Sequence, residues 1–410
     1  MGTSGLLALV ALAVAGGNAL PTVAATAAPL PPRQQGTSVN GGVISGKISC
    51  GTPDYCLAIG EDISKSGHLT QVIEEWNGTT WHSVAVPTPK PTVALINLTG
   101  VSCKATTDCV LVGAYITPAG AGAGAGGETD AGAERPYALT WNGKSLTPTD
   151  APPVPDDSGF ASLTGVSCIT TTKSCVAVGD SKGGAGPLLM ETWNGAKWTL
   201  RTASIPGGAQ SAYPAAVSCH FLTFCIVIGE SYASAAGTPA MLLARWNGTS
   251  FSTMKAAVPA DAADITLNDI SCPSTTMCAV AGFSSNRSGT SAFGFTEMWN
   301  GDSWTADKAA APNGDAKSFL YGVSCRANGT CVAVGGAGPS TATRATALSY
   351  NGKTWTAEDV PSPAAGKSSD LFGVNCLRTD ECVAIGEIVG STTATPLGGL
   401  WDGSWRLVAA

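Results

Sequence analysis

Between Leu163 and Thr199 short apolar runs alternate with breaks rich in Gly, Asn and Ser, and the pattern then recurs along the chain. Leu163-Thr164-Gly165-Val166-Ser167-Cys168 is β-prone and ends on a cysteine. A polar loop follows, then Cys175-Val176-Ala177-Val178-Gly179. A Gly-rich connection leads to Met190-Glu191-Thr192-Trp193-Asn194-Gly195, and the chain resumes at Lys197-Trp198-Thr199. Runs this short, bounded by Gly, Asn and Pro, predict strands rather than helices. Each unit therefore carries four. In the second strand, Val176 and Val178 point to one side and Cys175, Ala177 and Gly179 to the other. A large face thus opposes a small one.

The unit occurs seven times, with first cysteines at Cys50, Cys103, Cys168, Cys219, Cys272, Cys325 and Cys376. Four strands in roughly 53 residues, repeated in tandem, predict an all-β, seven-bladed β-propeller with four antiparallel strands per blade. A blade of this kind buries both faces only by stacking between neighbours. The blades are expected at about 42–91, 92–152, 153–206, 207–259, 260–312, 313–363 and 364–410. The frame opens near Ile44–Cys50 and ends near Trp405–Val408, so both terminal blades look complete from contiguous sequence. Face packing, without an exchanged strand, is the expected closure.

The second cysteines are Cys56, Cys109, Cys175, Cys225, Cys278, Cys331 and Cys382. One pair per unit, with none left over among 14, reads as seven intra-blade disulfides formed in an oxidising compartment. Zinc pairs usually place their ligands closer, and only His68, His82 and His220 could supplement them. The apolar run Leu6–Ala15 is too short to span a bilayer, and Ala25-Thr26-Ala27 follows it as a small-x-small site. Residues 1–27 are read as a signal peptide and 28–41 as a flexible lead-in. Export to the extracellular space or the cell envelope is expected, without a membrane span. Charged residues are only 12% and the net charge is −7, with no basic stripe, so no nucleic-acid partner is expected.

The third strand ends on Trp-Asn-Gly at Trp76, Trp141, Trp193, Trp246 and Trp299, as Tyr350-Asn351-Gly352, and as Trp401-Asp402-Gly403. Asn-Gly is a favoured centre of a tight hairpin. An aromatic returns on the next strand at Trp81, Trp198, Phe251, Trp304, Trp355 and Trp405, while Leu146 takes that place in unit two. Aromatics that recur in every blade are expected to fill the inter-blade core rather than to bind sugar. Asn351-Gly352-Lys353-Thr354-Trp355 resembles the Asp-box hairpin of sialidase-like propellers. The whole repeat resembles propeller proteins of unknown function secreted by actinobacteria. The second resemblance implies a fold and an export route but no activity. The first stops short of chemistry: no arginine cluster and no Tyr–Glu nucleophile pair is readable. Glu74, Glu191 and Glu297 recur two residues before the turn tryptophan and are expected to face solvent.

No catalytic residue, cofactor site or metal site is assigned. Function is sought where the repeats differ. Unit two carries an insertion at about 116–136 with Glu128, Asp130 and Glu134, flanked by Tyr115 and Tyr137; Tyr213 lies near the corresponding base in unit four. These six residues form the candidate partner site, on the face that also carries the blade-to-blade linkers. A second candidate patch is His220, Phe221, Leu222 and Phe224, in the cysteine loop of unit four. The expected function is a monomeric, non-catalytic binder of an extracellular protein or glycan. Its alternatives are a glycosidase- or sialidase-like enzyme with degenerate motifs and a structural cell-surface module.

Overall fold

A computed structural model describes residues 42–43, 46–63, 69–89, 93–118, 132–149, 160–181, 184–234, 240–259, 262, 264–285, 291–309, 317–339, 342–362, 367–378, 381–390 and 394–409. Seven antiparallel sheets follow one another along the chain, each built of consecutive strands. Six have four strands. In the first sheet the innermost strand is split into Gly42–Val43 and Ile48–Thr52, both paired with Tyr55–Ile63. The fold is the seven-bladed propeller expected from the repeat.

Each blade joins its first two strands by one disulfide, with Cα–Cα separations of 3.8 to 4.1 Å. The bonded residues are direct cross-strand partners in most blades, as in Cys168 with Cys175. Six first strands bulge by one residue, for example between Leu163 and Gly165. The bulge draws the backbone against the second-strand glycine. A Cβ at Gly179 would overlap the Ser162 carbonyl, and one at Gly335 the Phe319 carbonyl. The glycine of Val-Ala-Val-Gly is there for that close approach.

Blades nest large face to small face. Val176 and Val178 of blade three pack with Val217 and Cys225 of blade four, while Cys175 and Ala177 pack with Val110 and Val112 of blade two. The same joint closes the ring: Val383 and Ile385 of blade seven pack with Ile48, Cys56 and Ala58 of blade one. No strand passes between the terminal blades among the described residues. A ring of side-chain hydrogen bonds runs beside this packing. In each first strand the residue before the cysteine accepts a hydrogen bond from the cysteine N–H of the next blade. Six of the acceptors are serine hydroxyls, at 2.8 to 3.0 Å. Asn375 Oδ1 makes the seventh to Cys50 N–H, at 3.2 Å.

The paired aromatics are core. Trp193 and Trp198 lie 5.2 Å apart between ring centroids and are 8% and 3% exposed. The turn between them is longer than the tight hairpin expected. Trp193 and Trp198 are the last strand partners, and within the four residues that join them the Asn194 N–H donates to the Lys197 carbonyl at 3.2 Å. Asn194 Oδ1 accepts hydrogen bonds from the N–H groups of Ala196 (3.0 Å) and Lys197 (2.8 Å), and Gly195 has φ 94°. The asparagine is retained as a loop cap. The recurring glutamates also depart from expectation. Glu74, Glu191 and Glu297 are buried at 5%, 1% and 0% exposure, because both faces of a third strand lie against neighbouring blades. Glu74 accepts from the Ser83 hydroxyl, whereas neither oxygen of Glu191 or Glu297 has a partner. Burial raises each of these last two carboxyls to about 8.

Candidate functional site

The strand order places the cysteine turns and Asn-Gly loops on one side of the disc. The second-to-third loops and the linkers lie on the other. The cysteine side holds the His220–Phe224 patch, which divides in two. His220 and Phe221 touch edge to face at 4.3 Å, and Phe221 and Leu222 are exposed at 48% and 38%. Phe224 is buried, with the Arg245 guanidinium 4.8 Å above its ring.

On the linker side the candidates of blades two to four form a strip. Tyr115 is half-buried and meets Tyr137 edge to face at 5.9 Å. Tyr137 is itself buried, and its hydroxyl donates to the Pro87 carbonyl at 2.7 Å, which pins the linker from blade one. Glu134 opens the third strand of blade two, and burial, then the nearby Asp180, raises its carboxyl to about 7. Asp180 in blade three accepts from the Ser162 hydroxyl at 3.1 Å. Tyr213 packs edge to face on Tyr232 at 5.8 Å, and the Tyr232 hydroxyl donates to Glu230 at 2.9 Å. Burial and Glu230 push the Tyr232 phenol up to about 12. Burial, then Asp180, also raises the Tyr213 phenol, and the structure adds Glu230 and Tyr232 to the residues beside Tyr213. Glu128 and Asp130 lie outside the described residues.

A second group on the same side was not expected. Phe283, Phe319, Tyr321 and Phe372 form a chain of ring contacts across blades five to seven, at 5.0, 6.2 and 5.4 Å between centroids. All four are half-buried. Tyr321 and Phe372 occupy the bulge position, where other blades carry Thr99, Thr164, Ala215 and Asn268. The signal available in sequence was this substitution of aromatics for small or polar residues at one repeat position.

The shaft of the propeller is a cavity of about 180 Å³ lined by the first strands of all seven blades. It is barred. Lys47 of blade one reaches Asp269 of blade five at 3.0 Å and donates to the Asn268 carbonyl at 2.9 Å. Asp269 also accepts the Val323 N–H at 3.0 Å. The matching residues elsewhere, three before each first cysteine, are the small Gly100, Gly165, Ala216, Gly322 and Gly373. Among the described residues, no group of three His, Cys, Asp or Glu side chains is placed to hold a metal ion.

No protein-family model and no curated protein matches the sequence. Solved structures do resemble the fold. The GH74 xyloglucanase of Xanthomonas campestris superposes with a TM-score of 0.51 at 12% identity, over 92% of this chain and 55% of that one. YCF48 bound to D1 peptide gives 0.46 at 12% identity, over 88% and 95% of the two chains. The Trypanosoma rangeli sialidase gives 0.47 at 8% identity, over 89% and 55%. At these identities the likeness is one of fold. The neighbours differ in function.

Proposed function

We propose that the chain is a non-catalytic binding module that takes an extracellular protein or glycan on its linker face. One observation carries the reading. Half-buried aromatics and carboxylates that differ from blade to blade gather on that face, in the strip from Tyr115 to Tyr232 and the group from Phe283 to Phe372. The opposite face repeats one capped turn. Side chains that vary without filling the core are available for recognition, and rigid aromatics supply contact area at low entropic cost. Seven disulfides are consistent with an oxidising, extracellular setting. Among the described residues no helix is long and apolar enough to cross a membrane. A glycosidase reading is weaker. Asp370 and Glu387, partners on adjacent strands of blade seven, are 2% and 6% exposed and lie buried rather than in an open cleft.

The test is binding on glycan and peptide arrays by the intact chain and two variants. Tyr213→Ser/Tyr232→Ser should lose binding, and Phe221→Ser/Leu222→Ser should keep it. The reverse outcome moves the site to the cysteine face. Release of reducing sugar by the intact chain would replace the reading with an enzymatic one.

A further inference from the structure

Each blade presents its first strand to the shaft, and the inner edge of that strand has no strand partner. The bonded cysteines approach to between 3.8 and 4.1 Å at Cα, the close spacing of rungs that exchange no backbone bonds. The cysteine N–H and that of the residue two before it therefore turn away from their own blade. In blade six both find acceptors: the Ser271 hydroxyl takes the Cys325 N–H at 2.9 Å, and Asp269 Oδ2 takes the Val323 N–H at 3.0 Å. The first bond recurs at every joint, whereas the second is made once. In five blades Gly or Ala stands where Asp269 does, and in the first blade Lys47. A Cβ on Gly100 would lie 3.1 Å from the Val166 nitrogen, and one on Gly165 or Gly373 would lie 3.3 Å from that of Val217 or Ile48. Glycine and alanine have no side-chain acceptor to offer. Among the described residues, the N–H groups of Ile48, Val101, Val166, Val217, Ile270 and Val374 meet no such acceptor, and all six residues line the cavity. The six serine hydroxyls, each having accepted a cysteine N–H, still hold a hydrogen to donate. Solvent reaches this interior: five of those serines are half-buried, and the Lys47 and Asp269 side chains keep 28% and 18% exposure.

We propose that the shaft is a binding site for a small carboxylate anion, separate from the linker-face site. Its oxygens accept the inward N–H groups beside the glycines, and the serine hydroxyls donate to it from the cysteine side. Lys47 spends two of its three donors on the Asn268 carbonyl and Asp269, and the third supplies a charge-assisted bond. Asp269 already displays this mode within the chain, since its carboxylate takes an inward N–H on one oxygen and Lys47 on the other. The glycine-bearing blades repeat the N–H without the carboxylate. A cavity of about 180 Å³ has room for an ion the size of acetate. A cation fits less well: inward carbonyls accompany the N–H groups, but the Lys47 ammonium stands over them and repels it.

The test titrates sodium acetate into the intact chain by calorimetry at neutral pH and constant ionic strength, beside acetamide and calcium chloride. Acetate should bind saturably in the millimolar range. Acetamide should bind at least about tenfold more weakly, because a neutral amide forgoes the charge-assisted bonds. Lys47→Met should weaken acetate about tenfold or more. Asp269→Ala releases Lys47 and the Val323 N–H together, so it should tighten acetate by a similar factor. Acetate should then raise the melting temperature of that variant more than that of the intact chain. The comparison of acetate with acetamide uses the intact chain alone, so it decides the matter even where a variant fails to fold. No saturable acetate binding, equal binding of acetamide, or an acetate affinity unchanged in both variants would each overturn the proposal. A response to calcium chloride with none to acetate would overturn it in favour of a cation. Any of these results leaves the linker-face reading standing.

Discussion

Glu191 shows what a side chain loses when a repeat position is buried without a partner. Its carboxyl, 1% exposed and raised to about 8, stays protonated in the folded chain at pH values where the unfolded chain ionises. Below the ordinary glutamate range both states are protonated and there is no penalty. As pH rises from about 4.5 to 8 the unfolded state gains from ionisation and the folded state does not, so stability falls across that window. Glu191→Gln should therefore raise the melting temperature at pH 8, by the equivalent of about 3–5 kcal/mol, and leave it unchanged near pH 4.5. Thermal denaturation at the two pH values decides this, and an equal effect at both would show that the carboxyl is ionised in the fold. The residue is easy to see in the sequence and easy to misplace. Strand alternation sends it away from Met190, but in a stacked blade that direction leads into the neighbouring sheet rather than to water.

At the scale of the strand and its turn, the repeat was largely legible. Val176 and Val178 against Cys175 and Ala177 separate onto the two faces that period-two alternation assigns, and each set meets the expected neighbour. The Trp-Asn-Gly aromatics are core for the reason their recurrence suggested. Trp193→Ala should cost about 3–5 kcal/mol by chemical denaturation, with ligand binding unchanged in the absence of denaturant. A variant of undiminished stability would mean the ring is not part of the inter-blade packing. Loop length was less legible, because Asn-Gly serves both a two-residue hairpin and the capped four-residue loop observed, and only the pairing of Trp193 with Trp198 distinguishes them.

At the scale of the ring, long-range contacts carry what the repeat cannot announce. Lys47 and Asp269 are 222 positions apart, and each looks like an isolated exception to a Gly-rich position until the shaft brings them within 3.0 Å. The aromatic rim of blades five to seven was hidden in the same way, since Tyr321 and Phe372 are neighbours only through the stacking of blades, as are Phe283 and Phe319. A double-mutant cycle with Lys47→Met and Asp269→Asn should report a coupling on the order of 0.5–3 kcal/mol. Additive effects in urea denaturation would show that the bar contributes no mutual stabilisation.

The bond from Cys50 N–H to Asn375, set among six serine equivalents, bears on where a polypeptide of this design has to start. The joint between the last sheet and the first is of the same kind as the other six, so no break point is privileged by the architecture. Circular permutants that connect residues 409 and 42 through a flexible linker, and open instead between blades three and four, should fold to the same disc with the same seven disulfides. Peptide mapping and near-ultraviolet circular dichroism would establish this. A permutant that remained open would reveal that order of synthesis, and not chemistry at the joint, determines which sheets meet.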